Sequence, residues 1–127
     1  MTRAVLNLLL AFLLTGLTGC ELFTQHPDLG VTNQSGPSWN GVWYEGKVTI
    51  HNYSTTYTAY NVGISSKLKS GNTIVATGGG SGGTLEPGES IVISVVLTSA
   101  YDEKVNGTFD SKLYWTDEYD RSWSKSY

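Results

Sequence analysis

From residue 42 to residue 127 the sequence is a succession of short runs in which apolar and polar side chains alternate, each closed by a turn. No stretch in that region carries an amphipathic helical period longer than one turn. Residues 43–52 set Tyr44, Gly46, Val48 and Ile50 against Trp43, Glu45, Lys47 and Thr49. Residues 58–68 put Tyr60, Val62, Ile64 and Leu68 on one parity, which makes Tyr60 a core residue. Lys69-Ser70-Gly71-Asn72 is a hairpin turn into a short strand at 73–77. Pro87-Gly88 is a type II turn pair, and the strand at 90–97 follows with Ile91, Ile93, Val95 and Leu97 on one face. Ser99 and Asp102 stand at capping-box spacing, which predicts a single helical turn. Residues 108–116 align Phe109, Leu113 and Trp115, and the turn at 117–120 leads into a last strand within 121–127. Six or seven short strands without a long helix predict an all-β fold, an antiparallel β-sandwich.

The N-terminus has a different texture. Arg3 is followed by an apolar run from Ala4 to Leu14 broken only by Asn7, and the stretch ends in Leu17-Thr18-Gly19-Cys20. Residues 4–17 are fewer than the ~20 a spanning helix needs, so the segment reads as a secretory signal. Cys20 is the only cysteine, which excludes an internal disulfide and any multi-cysteine metal site. Leu17-Thr18-Gly19-Cys20 resembles the bacterial lipobox at all four positions. That resemblance implies cleavage between Gly19 and Cys20, and a diacylglyceryl group joined through a thioether to Cys20. At ~0.8 kcal/mol per buried methylene, two or three acyl chains anchor a protein stably. Glu21 follows the cysteine in place of Asp. In Gram-negative lipoproteins that permits export to the outer membrane.

Three segments follow from this: a signal peptide at 1–19, a lipidated cysteine and flexible tether at 20–40, and a folded domain at 41–127. The tether carries Pro27, Gly30, Gly36 and Pro37, although 29–32 have the composition of an edge strand. His26 within it reads as a solvated loop residue. Within the domain, AYNVGISSKL, SGNTIV and LEPGESIVISVVL resemble FxLYD-type and related adhesion-like immunoglobulin-like domains of prokaryotic surface proteins. Where that family has Phe-x-Leu-Tyr-Asp, this chain reads Ser66-Lys67-Leu68-Lys69-Ser70. The resemblance covers roughly residues 43–116. It implies an immunoglobulin-like sandwich of about seven strands, with no catalytic residues and no cofactor to transfer.

Candidate sites are few. His51 lies on the outward parity of its strand, and no serine sits in a Gly-x-Ser-x-Gly elbow. An enzyme would need His51 within reach of a serine and a carboxylate in a cleft. The run 78–83, GGGSGG, lacks the Lys-Ser/Thr of a phosphate loop and reads as a mobile connection between strands. Asp117, Glu118 and Asp120 read as a solvated hairpin tip, and no calcium-loop spacing or other metal site is present. With a net charge of −3 and no basic block, the sequence excludes nucleic acid as the expected partner.

The aromatics carry more. Trp43 and Tyr114 fall on outward parities, and Tyr53, Tyr57 and Tyr119 lie in or beside turns. Trp115 and Tyr60 are assigned to the core, and for the outward rings both cross-strand packing and a binding face remain open. Exposed rings stack on sugars and also anchor protein contacts. The expected function is a non-catalytic binding or scaffolding module, anchored by lipid in the cell envelope and contacting an envelope or extracellular protein. The alternative is a carbohydrate-binding module using the exposed aromatics on a polysaccharide. The two differ in whether those aromatics form one flat strip.

Overall fold

The computed structural model describes residues 26–127, so Cys20 and the signal segment lie outside the described residues. Seven strands form the fold: β1 (Leu29–Trp39), β2 (Tyr44–Asn52), β3 (Ala59–Ser70), β4 (Thr73–Leu85), β5 (Ser90–Ser99), β6 (Thr108–Thr116) and β7 (Ser122–Ser126). All neighbours pair antiparallel in one curled sheet of order β1-β2-β5-β4-β3-β6-β7. Lettered A to G in chain order, this is the ABED and CFG pairing of an immunoglobulin sandwich, with the two halves joined through β4 and β3. The all-β, sandwich-like fold expected from the alternation is what the chain adopts.

The inward parities fill the space between the halves. Tyr44, Val48 and Ile50 of β2, Ile93, Val95 and Leu97 of β5, and Val62, Ile64 and Leu68 of β3 are buried against Leu113 and Trp115 of β6. Each such Leu or Ile side chain, fully withdrawn from water, contributes roughly 1.5–3 kcal/mol. Ser66 and Ser111 sit opposite each other among them and share a 2.7 Å hydrogen bond, so neither hydroxyl is buried unpaired. Tight turns set the register. Gly71, at φ 62°, opens the two-residue β3–β4 hairpin, and Gly88, at φ 74°, closes the turn in which Glu89 N–H donates to Glu86 O.

Several expectations are corrected by the strand pairing. The sheet begins at Leu29, not after residue 40: 29–39 form β1, an edge strand paired to β2 and longer than the four residues suggested by composition. Two irregularities, at Val31/Asn33 and Ser35/Ser38, let a run containing Pro37 stay in the sheet.

The glycine run is not a mobile connection. Residues 78–83 are the middle of β4, which is paired to β3 along its length and to β5 at 76–79. A Cβ on Gly78 would overlap Val96 O, one on Gly79 Ile64 O and one on Gly80 Ser94 O. The strand that joins the two halves approaches both neighbours too closely for a side chain, and glycine is required by contact instead of tolerated by looseness.

No helical turn forms at 99–102. Ser99 Oγ accepts from Tyr101 N, two residues on, in a local turn that replaces the cap. Tyr60 is exposed, because Asn61 adopts φ 52° at a break in register between Tyr60 and Gly63, and the parity reverses there. Ala59 takes the buried position instead. Finally, Asp117 is buried, as described below, although Glu118 and Asp120 beside it are exposed.

Candidate functional site

At one end of the sheet the chain enters at His26, and the β2–β3, β4–β5 and β6–β7 connections gather around it. Asn52, fully buried, organises this end: its Nδ2 donates to Tyr57 O (2.8 Å) and Leu85 O (3.2 Å), and its Oδ1 accepts from Ser54 N. Asp117 does the same for the β6–β7 hairpin. Only 3% exposed, its carboxylate accepts from the backbone N–H of Tyr119 and Arg121, from Arg121 Nε at 2.7 Å and from Trp123 Nε1 at 2.8 Å. Burial pushes its pKa up, but the bonds from Trp123, Arg121 and Tyr119 outweigh that and hold it at about 2. His26 stacks on Trp123 with centroids 3.8 Å apart, so it is part of this assembly and not a solvated tether residue. Nothing in the sequence distinguished Asn52 and Asp117 from other polar loop residues. Their roles depend on which strands end beside them.

The five outward aromatics fall in three places. Trp43 precedes β2 on the outer face of the β1-β2-β5 half, where its Nε1 donates to Glu45 Oε2 at 3.1 Å. Tyr114 stands on the outer face of the other half, directly opposite Gly63. Tyr53, Tyr57 and Tyr119 are at the end where His26 enters; Tyr53 leans over Gly30 and packs edge-on to His51, and Tyr57 is half-buried. They do not form one strip.

His51 is on the outward face as expected, with Nδ1 2.7 Å from Ser90 Oγ across the β2–β5 register. That is a serine–histidine pair on the outer face of the sheet, and among the described residues no carboxylate hydrogen-bonds His51.

Two outer faces remain, and their chemistry differs. On β5, Val92 and Val96 point out with 61% and 40% of their surface exposed, opposite Thr49 and Glu45 of β2. Trp43, 39% exposed, continues the row beyond Glu45. On the far side of Val96 its partner is Gly79, which has no side chain to cover it. Asn40 fixes Trp43 in place, its Oδ1 accepting from Trp43 N at 2.9 Å. Beside this row, the break in β1 opens a shallow hollow of about 460 Å³ lined by Ser35, Ser38, Glu45, Lys47, Ser94 and Val96. The sequence marked Trp43 as outward but passed over Val92 and Val96, which look like ordinary strand residues until their neighbours are known. In comparisons with known proteins, no family model and no curated protein matches the chain.

Proposed function

We propose that the chain is a lipid-anchored, non-catalytic binding module of the cell envelope, and that it contacts an envelope or extracellular protein through the outer face of β2 and β5. The observation that carries this reading is the row Trp43, Val96 and Val92, an aromatic anchor continued by two exposed aliphatics on rigid, paired strands. The exposed apolar groups alternate with polar ones, since Ser94 and Lys47 stand between Val92 and Val96 and Glu45 stands opposite Val96, and that mixture is what a protein contact of ordinary polarity presents.

The anchor reading rests on Leu17-Thr18-Gly19-Cys20. Six residue steps separate Cys20 from His26, so the end at which the chain enters lies within roughly 20 Å of the lipid. That end exposes Asp28, Glu86, Glu89, Glu118 and Asp120.

The test is Cys20→Ala in the full chain. Wild type is expected in the membrane fraction with a mature N-terminal peptide beginning at acylated Cys20, and the variant as an unacylated precursor. An acylated mature form of the variant contradicts the anchor.

A further inference from the structure

The outer face of β3, β6 and β7 has a composition unlike the rest of the surface. Its outward positions are Tyr60, Gly63, Ser65, Lys67 and Lys69 on β3, then Thr108, Asp110, Lys112, Tyr114 and Thr116 on β6. Ser122, Ser124 and Ser126 complete it on β7. No aliphatic side chain faces out from these three strands. Three lysines oppose one carboxylate in a chain whose net charge is −3. Asp110 is shared between Lys67 (3.9 Å) and Lys69 (3.7 Å), and Lys112 has no ion pair among the described residues.

Tyr114, 41% exposed, is the large ring beside the lysines of this face, and Tyr60, 37% exposed, stands next to it opposite Thr116. The outer half of Tyr114 covers Gly63, where a Cβ would overlap Cζ and Oη, so glycine across the strand lets the ring lie down on the sheet. One row further along, Ser65 pairs with Lys112, and a shallow depression of about 290 Å³ lined by Ser65, Lys67, Asp110, Lys112 and Ser126 begins there. The rows are about 7 Å apart along the strands.

We infer that this face binds an anionic polysaccharide, a second surface chemically distinct from the one proposed for the protein contact and independent of the lipid anchor. A sugar ring stacks on Tyr114, and the carboxylate of a neighbouring unit reaches Lys112 and Lys67 while the serine and threonine hydroxyls exchange hydrogen bonds with the chain. Charge complementarity selects an anionic polymer. The hydroxyl-lined surface, with no aliphatic facing out from β3, β6 or β7, favours a polysaccharide over an acidic protein segment, whose contact would need an apolar centre.

The experiment is retention of the full-length chain, purified in mild detergent, on immobilised polygalacturonate, with uncharged dextran and poly-L-glutamate as comparisons. Retention on polygalacturonate alone, falling as salt is raised, is the expected result. Tyr114→Ala is expected to weaken it by about tenfold and Lys112→Gln by about threefold. Thr98→Ala, at an exposed position on the outer face of β5, should leave it unchanged. Lys112→Gln alters only an exposed side chain and carries the test even if Tyr114→Ala fails to fold. No retention of folded protein at low salt, equal retention on poly-L-glutamate, or retention indifferent to Lys112→Gln would each overturn the inference.

Discussion

The hydroxyl of Tyr44 exchanges two hydrogen bonds with the backbone of Val105, donating to its carbonyl at 3.1 Å and accepting from its N–H at 2.8 Å. Tyr44 is buried at the end of the sheet opposite the N-terminal entry, with its ring against Trp39 (centroids 5.0 Å apart) and Phe109 (5.9 Å). The irregular segment between β5 and β6 is thereby tied down over the core by a side chain 61 residues away in sequence.

Tyr44→Phe keeps the ring and its packing but leaves both polar groups of Val105 without this partner. A loss of about 1–3 kcal/mol is expected in denaturant unfolding, with faster amide exchange confined to the segment between β5 and β6. Unchanged stability and exchange would show that water replaces the hydroxyl at no cost.

Gly79→Ala tests the strand assignment of the glycine run. The added methyl would overlap Ile64 O, a backbone atom that moves only with β3, so a loss of about 3 kcal/mol is expected by urea unfolding. Ser81→Ala, at an exposed position in the same run, should be neutral. Equal, small effects from both would return the run to a loose connection.

Asp117 gives the stability a defined acid dependence. Its folded pKa of about 2 lies below the ordinary value of 3.8, so the unfolded chain binds the proton more readily. The contribution is complete above about pH 4 and is lost as pH falls toward 2; its size is on the order of 2 kcal/mol. Asp117→Asn should remove that contribution at neutral pH. The difference between wild type and variant in thermal unfolding should then shrink between pH 4 and pH 2. A difference independent of pH over that interval would place the effect in packing rather than charge.

Much of the sheet was legible because period-two alternation needs no knowledge of the partner strand. The strand at residues 108–116 and the inward sets of β2, β5 and β6 follow from it directly. What escaped was governed by neighbours. Glycines 78–80 look like a linker in sequence and become a strand only because β3 and β5 close on both sides of them. Tyr60 follows the parity of Val62 until Asn61 takes a left-handed conformation, which no alternation rule anticipates. Pro37 and the glycines of β1 argued for a tether, whereas the breaks in pairing with β2 absorb them. Trp43 was visible as an outward ring, but the row it forms with Val96 and Val92 depends on the β2–β5 register.

The most direct test of the account is photocrosslinking in intact cells, with a benzophenone side chain at position 92 or 96 of the full-length chain and, as a comparison, at the exposed turn position of Asn72. The account predicts a discrete light-dependent adduct to one protein from positions 92 and 96 and none from 72. Only uncrosslinked chain from 92 and 96, or the same adducts from all three positions, would contradict it.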